Sequence, residues 1–268
     1  MPRIPRSVPT TMSTSVSPSP AHSSSEPHLL DNAVWAALTG PHAGFAERRG
    51  RAARYPLDVC PFTALADPAD PEAWDDLAAL VGPATVTAVT GARAVPDGWE
   101  TVERGQGVQL VDTGLRAEPA PEAVRLGLDD IPEILDLIAL TKPGPFLPRT
   151  VELGTYFGIR HRGRLIAMAG ERVHPPGWTE ISAVCTHPAH RGRGLATRLV
   201  RAVAAGIRER GETPFLHTHA SNTTAIRLYE SIGFTLRRHT NFLLVRTPGR
   251  HPAPTPRTGS WGARERHA

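Results

Sequence analysis

An α/β fold is predicted for this chain by three features. Strand-like and helix-like segments alternate through its second half, two helix starts in its first half carry capping signals, and 40% of its 268 residues are apolar, enough to bury a substantial core. The most informative segment is residues 191–196, R-G-R-G-L-A, which lie between a β-branched run at residues 181–186 and an amphipathic stretch that starts near Gly194. A glycine turn feeding a helix leaves unpaired backbone N–H groups and the positive end of the helix dipole facing outward. That arrangement suits a pyrophosphate, so a phosphorylated cofactor is expected.

Taken in order, residues 1–28 are rich in Ser, Thr and Pro with no hydrophobic period, and are expected to form a disordered tail. Residues 29–115 form a first α/β stretch. Asp31 reads as the N-cap of a helix at residues 33–38, and Pro71 opens a second helix at residues 72–80. Residues 84–90 read as a strand, and the Pro-Asp-Gly turn at residues 96–98 separates it from a strand region ending at Val111. The second stretch, residues 120–247, begins with a short strand at residues 123–126. Asp129 and Asp130 then cap a helix whose apolar face includes Ile131, Ile134, Leu135 and Ile138, and Pro143, Gly144 and Pro145 end it. A hairpin is expected from residues 156–160 and 165–171 around Arg162 and Gly163, then a central strand at residues 178–186. Leu195, Leu199, Val203 and Ile207 recur at helical spacing through residues 195–210, with Gly211 as the stop. A strand at residues 215–219, a helix at residues 223–232 ending at Gly233, and strands at residues 234–238 and 241–245 complete the stretch. Residues 248–268, rich in Pro, Arg and Gly, read as a second disordered, basic tail.

Composition excludes several classes. Ser, Pro, Arg and His interrupt every apolar run before it reaches the length of a signal peptide or a membrane span, so a cytoplasmic protein with no membrane partner is expected. The formal net charge is +4, yet Lys142 is the sole lysine, and the Arg, Ala, Gly and Pro bias is that of a GC-rich bacterial genome. No RNA-binding aromatic motif or recognition helix accompanies the charge, so no nucleic-acid partner is expected. Cys60 and Cys185 lie in different halves and supply neither a disulfide framework nor a ligand set, and both read as small buried hydrophobes.

A strand, then R-x-x-G-x-A, then helix, strand and N-T-T-A-I-R-L-Y-E-S-I-G-F at residues 222–234 resembles the Gcn5-related N-acetyltransferase (GNAT) superfamily, most closely its FR47-like branch. The specific match covers residues 180–234, and the domain order fits residues 123–245. The resemblance implies a mixed central sheet with splayed central strands and flanking helices, here preceded by a smaller α/β half. It also implies acetyl-CoA as cosubstrate, no metal, and direct acetyl transfer to the primary amine of a small molecule or peptide.

In that reading, backbone N–H groups of Arg191, Gly192, Arg193, Gly194, Leu195 and Ala196 hold the pyrophosphate, and the two glycines keep side chains out of its way. The pantetheine arm pairs with the exposed strand backbone at Val184 and Thr186, the Val184 N–H polarises the thioester carbonyl, and Asn222 bonds the cofactor near the mouth of the splay. Tyr229 stands where the family commonly keeps a tyrosine that protonates the departing thiolate, the alternative being a core tyrosine. In related histone acetyltransferases a base glutamate stands on this strand eleven residues ahead of the first motif position. Glu180 has the same offset from Arg191 and is the candidate general base, against the alternative of a strand carboxylate paired with an arginine.

His217 and His219 alternate on one strand and face the same way, which suits the lining of an acceptor groove, or simple packing, better than a metal site with no third ligand. His187 and His190 flank the glycine turn, as phosphate contacts or solvated loop residues. Phe146 follows the Pro-Gly-Pro loop, where the family closes over its acceptor, and is expected to line that pocket or to pack in the core. The first stretch carries no second glycine turn or Asn–Tyr pair, and on architecture reads as a degenerate copy that shapes the acceptor site. A non-catalytic acyl-CoA-binding sensory module, an enzyme for longer acyl groups, and a homodimer all remain open.

Overall fold

The computed structural model describes residues 28–249. The two expected tails, 1–28 and 248–268, lie outside it except for residues 28, 248 and 249.

The first stretch holds helix α1 (Ala33–Leu38), three short strands β1 (Glu47–Arg49), β2 (Ala52–Arg54) and β3 (Phe62–Leu65), helix α2 (Pro71–Val81), strand β4 (Val86–Thr90) and the long strand β5 (Glu100–Asp112). The second holds β6 (Val124–Leu126), α3 (Ile131–Thr141), β7 (Tyr156–His161), β8 (Arg164–Glu171), β9 (Trp178–Thr186), α4 (Leu195–Glu209), β10 (Thr213–His219), α5 (Thr223–Ser231) and β11 (Phe234–Arg246). All the strands join one 11-stranded mixed sheet in the order β1-β2-β3-β4-β11-β5-β10-β9-β8-β7-β6. The sheet ignores the boundary between the two stretches: β5, from the first, lies between β10 and β11 of the second.

Local chemistry explains most boundaries. The Asp70 side chain accepts from the Glu72 N–H and Pro71 takes the first turn of α2, where a missing N–H costs nothing. Lys142 in the left-handed conformation, followed by Pro143, stops α3. Arg162 (φ 51°) and Gly163 (φ 81°) make the tight turn of the β7–β8 hairpin, whose two positive φ values match the twist of its strands.

Three expectations are corrected. Strands β1, β2 and β3 went unread because segments of three or four residues are too short to show alternation. The two strands expected at residues 234–245 are one 13-residue strand, because β5 pairs along its whole length and a bulge near Leu236 absorbs the irregularity. Asp31 does not cap α1, which is entered through a 3-10 turn, Leu29–Asn32, capped by His28. Its carboxylate is taken by arginines described below.

Successive residues of β10 face opposite sides of the sheet. Leu216 packs with Ile181, Leu199, Val203, Ile207 and Phe234 under α4 and α5, while Phe215 packs with Leu30, Val34, Leu38 and Tyr55 under α1. One face of the central strands thus meets the helices of the second stretch, and the other is roofed by the first. A further cluster, built on Trp74, Leu77, Val89 and Leu243, seats α2 on the strands of the first stretch.

At the roofed face His42 and His174 stack at 4.7 Å, with Nδ1 of His42 2.8 Å from the Tyr55 hydroxyl. Burial, reinforced at His42 by the neighbouring His174 ring and at His174 by Arg210, lowers both to about 4. Both are therefore neutral in the fold, whereas in the unfolded chain they take up protons near pH 6.5. Stability is fully present above that value and falls as pH drops towards 4, by about 1.4 kcal/mol per pH unit for each histidine. Urea midpoints measured from pH 7 to pH 4 are expected to decline through this window. A flat profile would show that the pair is not buried neutral.

Candidate active site

Strands β9 and β10 run parallel from the pair Thr213–Trp178 to the pair Leu216–Ile181 and then separate. Beyond that point residues 182–186 of β9 keep partners only on the β8 side. The cause is local: Ala183 takes a positive φ of 52°, and the β8–β9 register slips between Met168 and Gly170, so a bulge turns β9 away from its neighbour. Val184 and Thr186 thus lie on a strand edge facing a gap, as expected.

The glycine turn follows this strand in the chain. Gly192 (φ 75°) and Gly194 (φ 71°) both adopt the left-handed conformation, and a Cβ added to either would meet no atom within 4 Å. Gly194 is the N-cap of α4 and no side chain caps that helix, so its first N–H groups are left for an external acceptor. Arg191, Gly192, Arg193 and Gly194 are exposed, with the Leu195 side chain anchored in the core. Arg193 donates to Nδ1 of His190 at 3.4 Å, and the rings of His161 and His187 lie 5.2 and 5.6 Å from that of His190. Open space, free N–H groups and a basic rim fit the diphosphate of coenzyme A.

A cavity of about 610 Å³ runs through the gap. Val184, Asn222 and Tyr229 line it from the second stretch, and Asp31, Asn32, Phe62 and Gln109 from the first. Asn222 caps α5 through Oδ1, which accepts from the Ala225 N–H at 3.2 Å. Tyr229 is 7% exposed and packs edge-on to Phe234. Burial, with a smaller contribution from Cys185, raises its phenol to about 12, so it holds its proton throughout the neutral range. Burial likewise pushes the Cys185 thiol up to about 11, which removes the thiolate a covalent route would need at neutral pH.

On the roofed face of the sheet lies a continuous chain of polar contacts. Glu180, 1% exposed, accepts two bonds from Arg172, at 2.9 Å from Nε and 2.8 Å from Nη2. Burial alone would raise its pKa, but the Arg172 charge, with help from His217, holds the carboxyl far below the usual range. Its Oε1 also lies 2.8 Å from Nδ1 of His217. The other ring nitrogen, Nε2, is 3.0 Å from the amide nitrogen of Gln109, which also donates to the Leu30 carbonyl at 2.9 Å. Arg237 donates to Gln109 Oε1 at 2.7 Å and to Asp31 at 2.6 Å, and Arg238 bonds the same Asp31 oxygen.

Sequence reasoning therefore placed Glu180, His217, Tyr229 and Asn222 on one cavity, together with His219, whose Nδ1 bonds Ser221 Oγ at 2.7 Å. Of the two readings of Phe146, the pocket-lining one is corrected: the residue is buried in the core against Tyr156, edge-on at 5.4 Å, and Pro143, Gly144 and Pro145 line the cavity instead. Arg172, Gln109 and Arg237 went unread, and Asp31 was read only as a helix cap. Their partners are 8 to 207 residues away in sequence, so the one available signal was the arginine partner already expected of a buried strand carboxylate. Among the described residues no group of three or more His, Cys, Asp or Glu is placed to hold a metal, and no helix is long and apolar enough to cross a membrane.

Comparison with known proteins agrees with this geometry. The family model described as FR47-like protein matches residues 156–243. A solved GNAT-family protein from Novosphingobium aromaticivorans is 40% identical, with a TM-score of 0.75, over 81% of this chain and 98% of its own. A mycothiol acetyltransferase from Thermomonospora curvata is 36% identical over 90 residues, which are 33% of this chain and 30% of that protein. The N-alpha-acetyltransferase RimI of Mycobacterium tuberculosis is 35% identical over 82 residues, 30% of this chain and 51% of that protein. The chain thus spans from about a third to half of these two curated relatives.

Proposed function

Because the chain belongs to the GNAT family of acetyltransferases, in its FR47-like branch, we propose that it is an acetyl-CoA-dependent N-acetyltransferase acting on the primary amine of a small molecule or peptide. Transfer is direct, in a ternary complex, with no metal and no covalent enzyme intermediate. The observation that carries this reading is the splay of β9 from β10, which frees the edge of β9 on a cavity that also holds a protonated tyrosine, while the same strand leads on to the uncapped start of α4. Acetyl-CoA supplies the acyl group as a thioester.

The chain's own residues do the rest. The N–H groups from Arg191 to Ala196 bind the diphosphate, and the free edge at Val184 and Thr186 receives the pantetheine arm. Asn222 sits at the mouth of the splay. Tyr229 holds the proton that the leaving sulfur needs. The first stretch contributes Asp31, Asn32 and Phe62 to the cavity wall, which supports its reading as the acceptor side.

Gly194→Val is expected to weaken CoA binding at least tenfold by calorimetry, because the new side chain enters the open space in front of α4. The strain of a left-handed valine costs about 1–2 kcal/mol of stability, so the variant stays folded. An unchanged affinity would place the nucleotide elsewhere. A thiol-release screen of acetyl-CoA against diverse amines tests the activity itself. Binding without turnover on any acceptor would favour a CoA-sensing module, the second reading left open by the sequence.

A further inference from the structure

We propose that His217 is the group that takes the proton from the incoming amine, and that Glu180, the carboxylate first suggested by its offset, positions His217 instead. The inference rests on the transferase reading above and assigns the base within it. Three observations support it. His217 is the first residue of β10 beyond the last β9 pair, so it stands at the throat of the splay, on the wall of the cavity. Glu180 is sealed beneath it, with both carboxylate oxygens engaged by Arg172. A carboxylate so paired attracts protons weakly and, with a side chain 2% exposed, offers the cavity almost no surface, while the His217 side chain retains 30% exposure.

The third observation fixes the tautomer. Arg237 donates to Oε1 of Gln109, so the other end of that amide is its NH2 group, which donates to the Leu30 carbonyl and to Nε2 of His217. An Nε2 that accepts a hydrogen bond carries no proton. Nδ1 then carries it and donates to Glu180. This is the arrangement of a histidine base oriented by a carboxylate: a lone pair at the outer nitrogen, and a negative charge behind the inner one to stabilise the imidazolium that forms. The charged groups around His217 are Glu180 from β9, Arg172 following β8, and, through Gln109, Arg237 of β11 with its partner Asp31. His219, His239 and Arg238 share the cavity.

The step balances as follows. The acceptor's N–H displaces the Gln109 amide from Nε2, while Gln109 keeps its bonds to Leu30 and Arg237. As the nitrogen bonds to the acyl carbon and the carbon–sulfur bond breaks, the nitrogen's proton passes to Nε2 of His217. The sulfur, which leaves with the bonding pair, takes a proton from the Tyr229 hydroxyl. Solvent then resets both side chains.

The first test needs no turnover. In protein labelled with 15N-histidine and free of ligand, the imidazole nitrogens of His217 are expected to show a protonated Nδ1 and a bare Nε2, and an Nε2–H tautomer overturns the proposal. The second is kinetic. His217→Gln is expected to lose kcat about 100-fold or more with KM values within threefold and CoA affinity unchanged by calorimetry, and imidazole in solution is expected to restore part of the rate of His217→Ala. Full activity in His217→Gln, or a loss that imidazole does not touch, refutes the assignment while leaving the transferase intact. Wild-type protein that binds CoA yet turns over no amine refutes the transferase reading, and the base with it.

Discussion

Arg172→Met is expected to lower the unfolding free energy by about 3–5 kcal/mol, one of the two largest effects anticipated for a single substitution in this protein. Arg172 is 9% exposed, holds Glu180 through two bonds, and lies 4.8 Å from the centre of the Phe62 ring. Without it, Glu180 remains 1% exposed with only the neutral N–H of His217 to meet its charge. Denaturant midpoints at neutral pH measure the loss, and pH gives a second check. In the wild type Arg172 depresses the Glu180 carboxyl, so this ion pair contributes stability above the ordinary carboxylate range and loses it on acidification. In the variant, burial is opposed only by His217 and raises the carboxyl, so the sign reverses and acidification recovers stability as Glu180 becomes neutral. Removing both charges, as Arg172→Met with Glu180→Leu, is expected to return most of the loss. A single variant as stable as the wild type would mean the pair is open to water.

Tyr229→Phe is expected to reduce kcat by about 100-fold to 10,000-fold while leaving CoA affinity within twofold. The substitution removes one hydroxyl from a ring whose packing against Phe234 it preserves, so stability is expected to change by under about 1 kcal/mol. With the phenol raised to about 12, this group imposes no loss of rate through neutral and mildly alkaline pH. Single-turnover thiol release, compared with calorimetry on the same samples, separates a lost proton donor from a lost binding contact. An unchanged rate would return Tyr229 to the role of a core tyrosine.

What the sequence revealed, and what it hid, divides along physical lines. Signals that act within a few residues were legible: the Pro71 helix start and the glycine stops, the hairpin turn at Arg162 and Gly163, the helical period of α4, and the glycine turn that leaves α4 uncapped. The splay of β9 from β10 was available only through family resemblance, because its cause is one residue, Ala183, in an unusual conformation that its own identity does not betray. The partners of Glu180 and His217 were hidden for a different reason. Gln109 and Asp31 belong to a stretch with no recognisable chemistry of its own, and they gain a role only because β5 is inserted beside β10. Phe146 shows the opposite error: a residue next to a functional loop can still be pure packing.

The insertion of β5 between β10 and β11 bears on how the protein can be rebuilt. A chimaera joined at the linker between the two stretches would take one half of every β5 pairing from each parent, along the 13-residue β11 on one side and β10 on the other. Swaps of acceptor preference between relatives are better made by exchanging the roofing segment at residues 28–38 together with its anchors Gln109, Arg237 and Arg238, so that donor and acceptor atoms travel as a set.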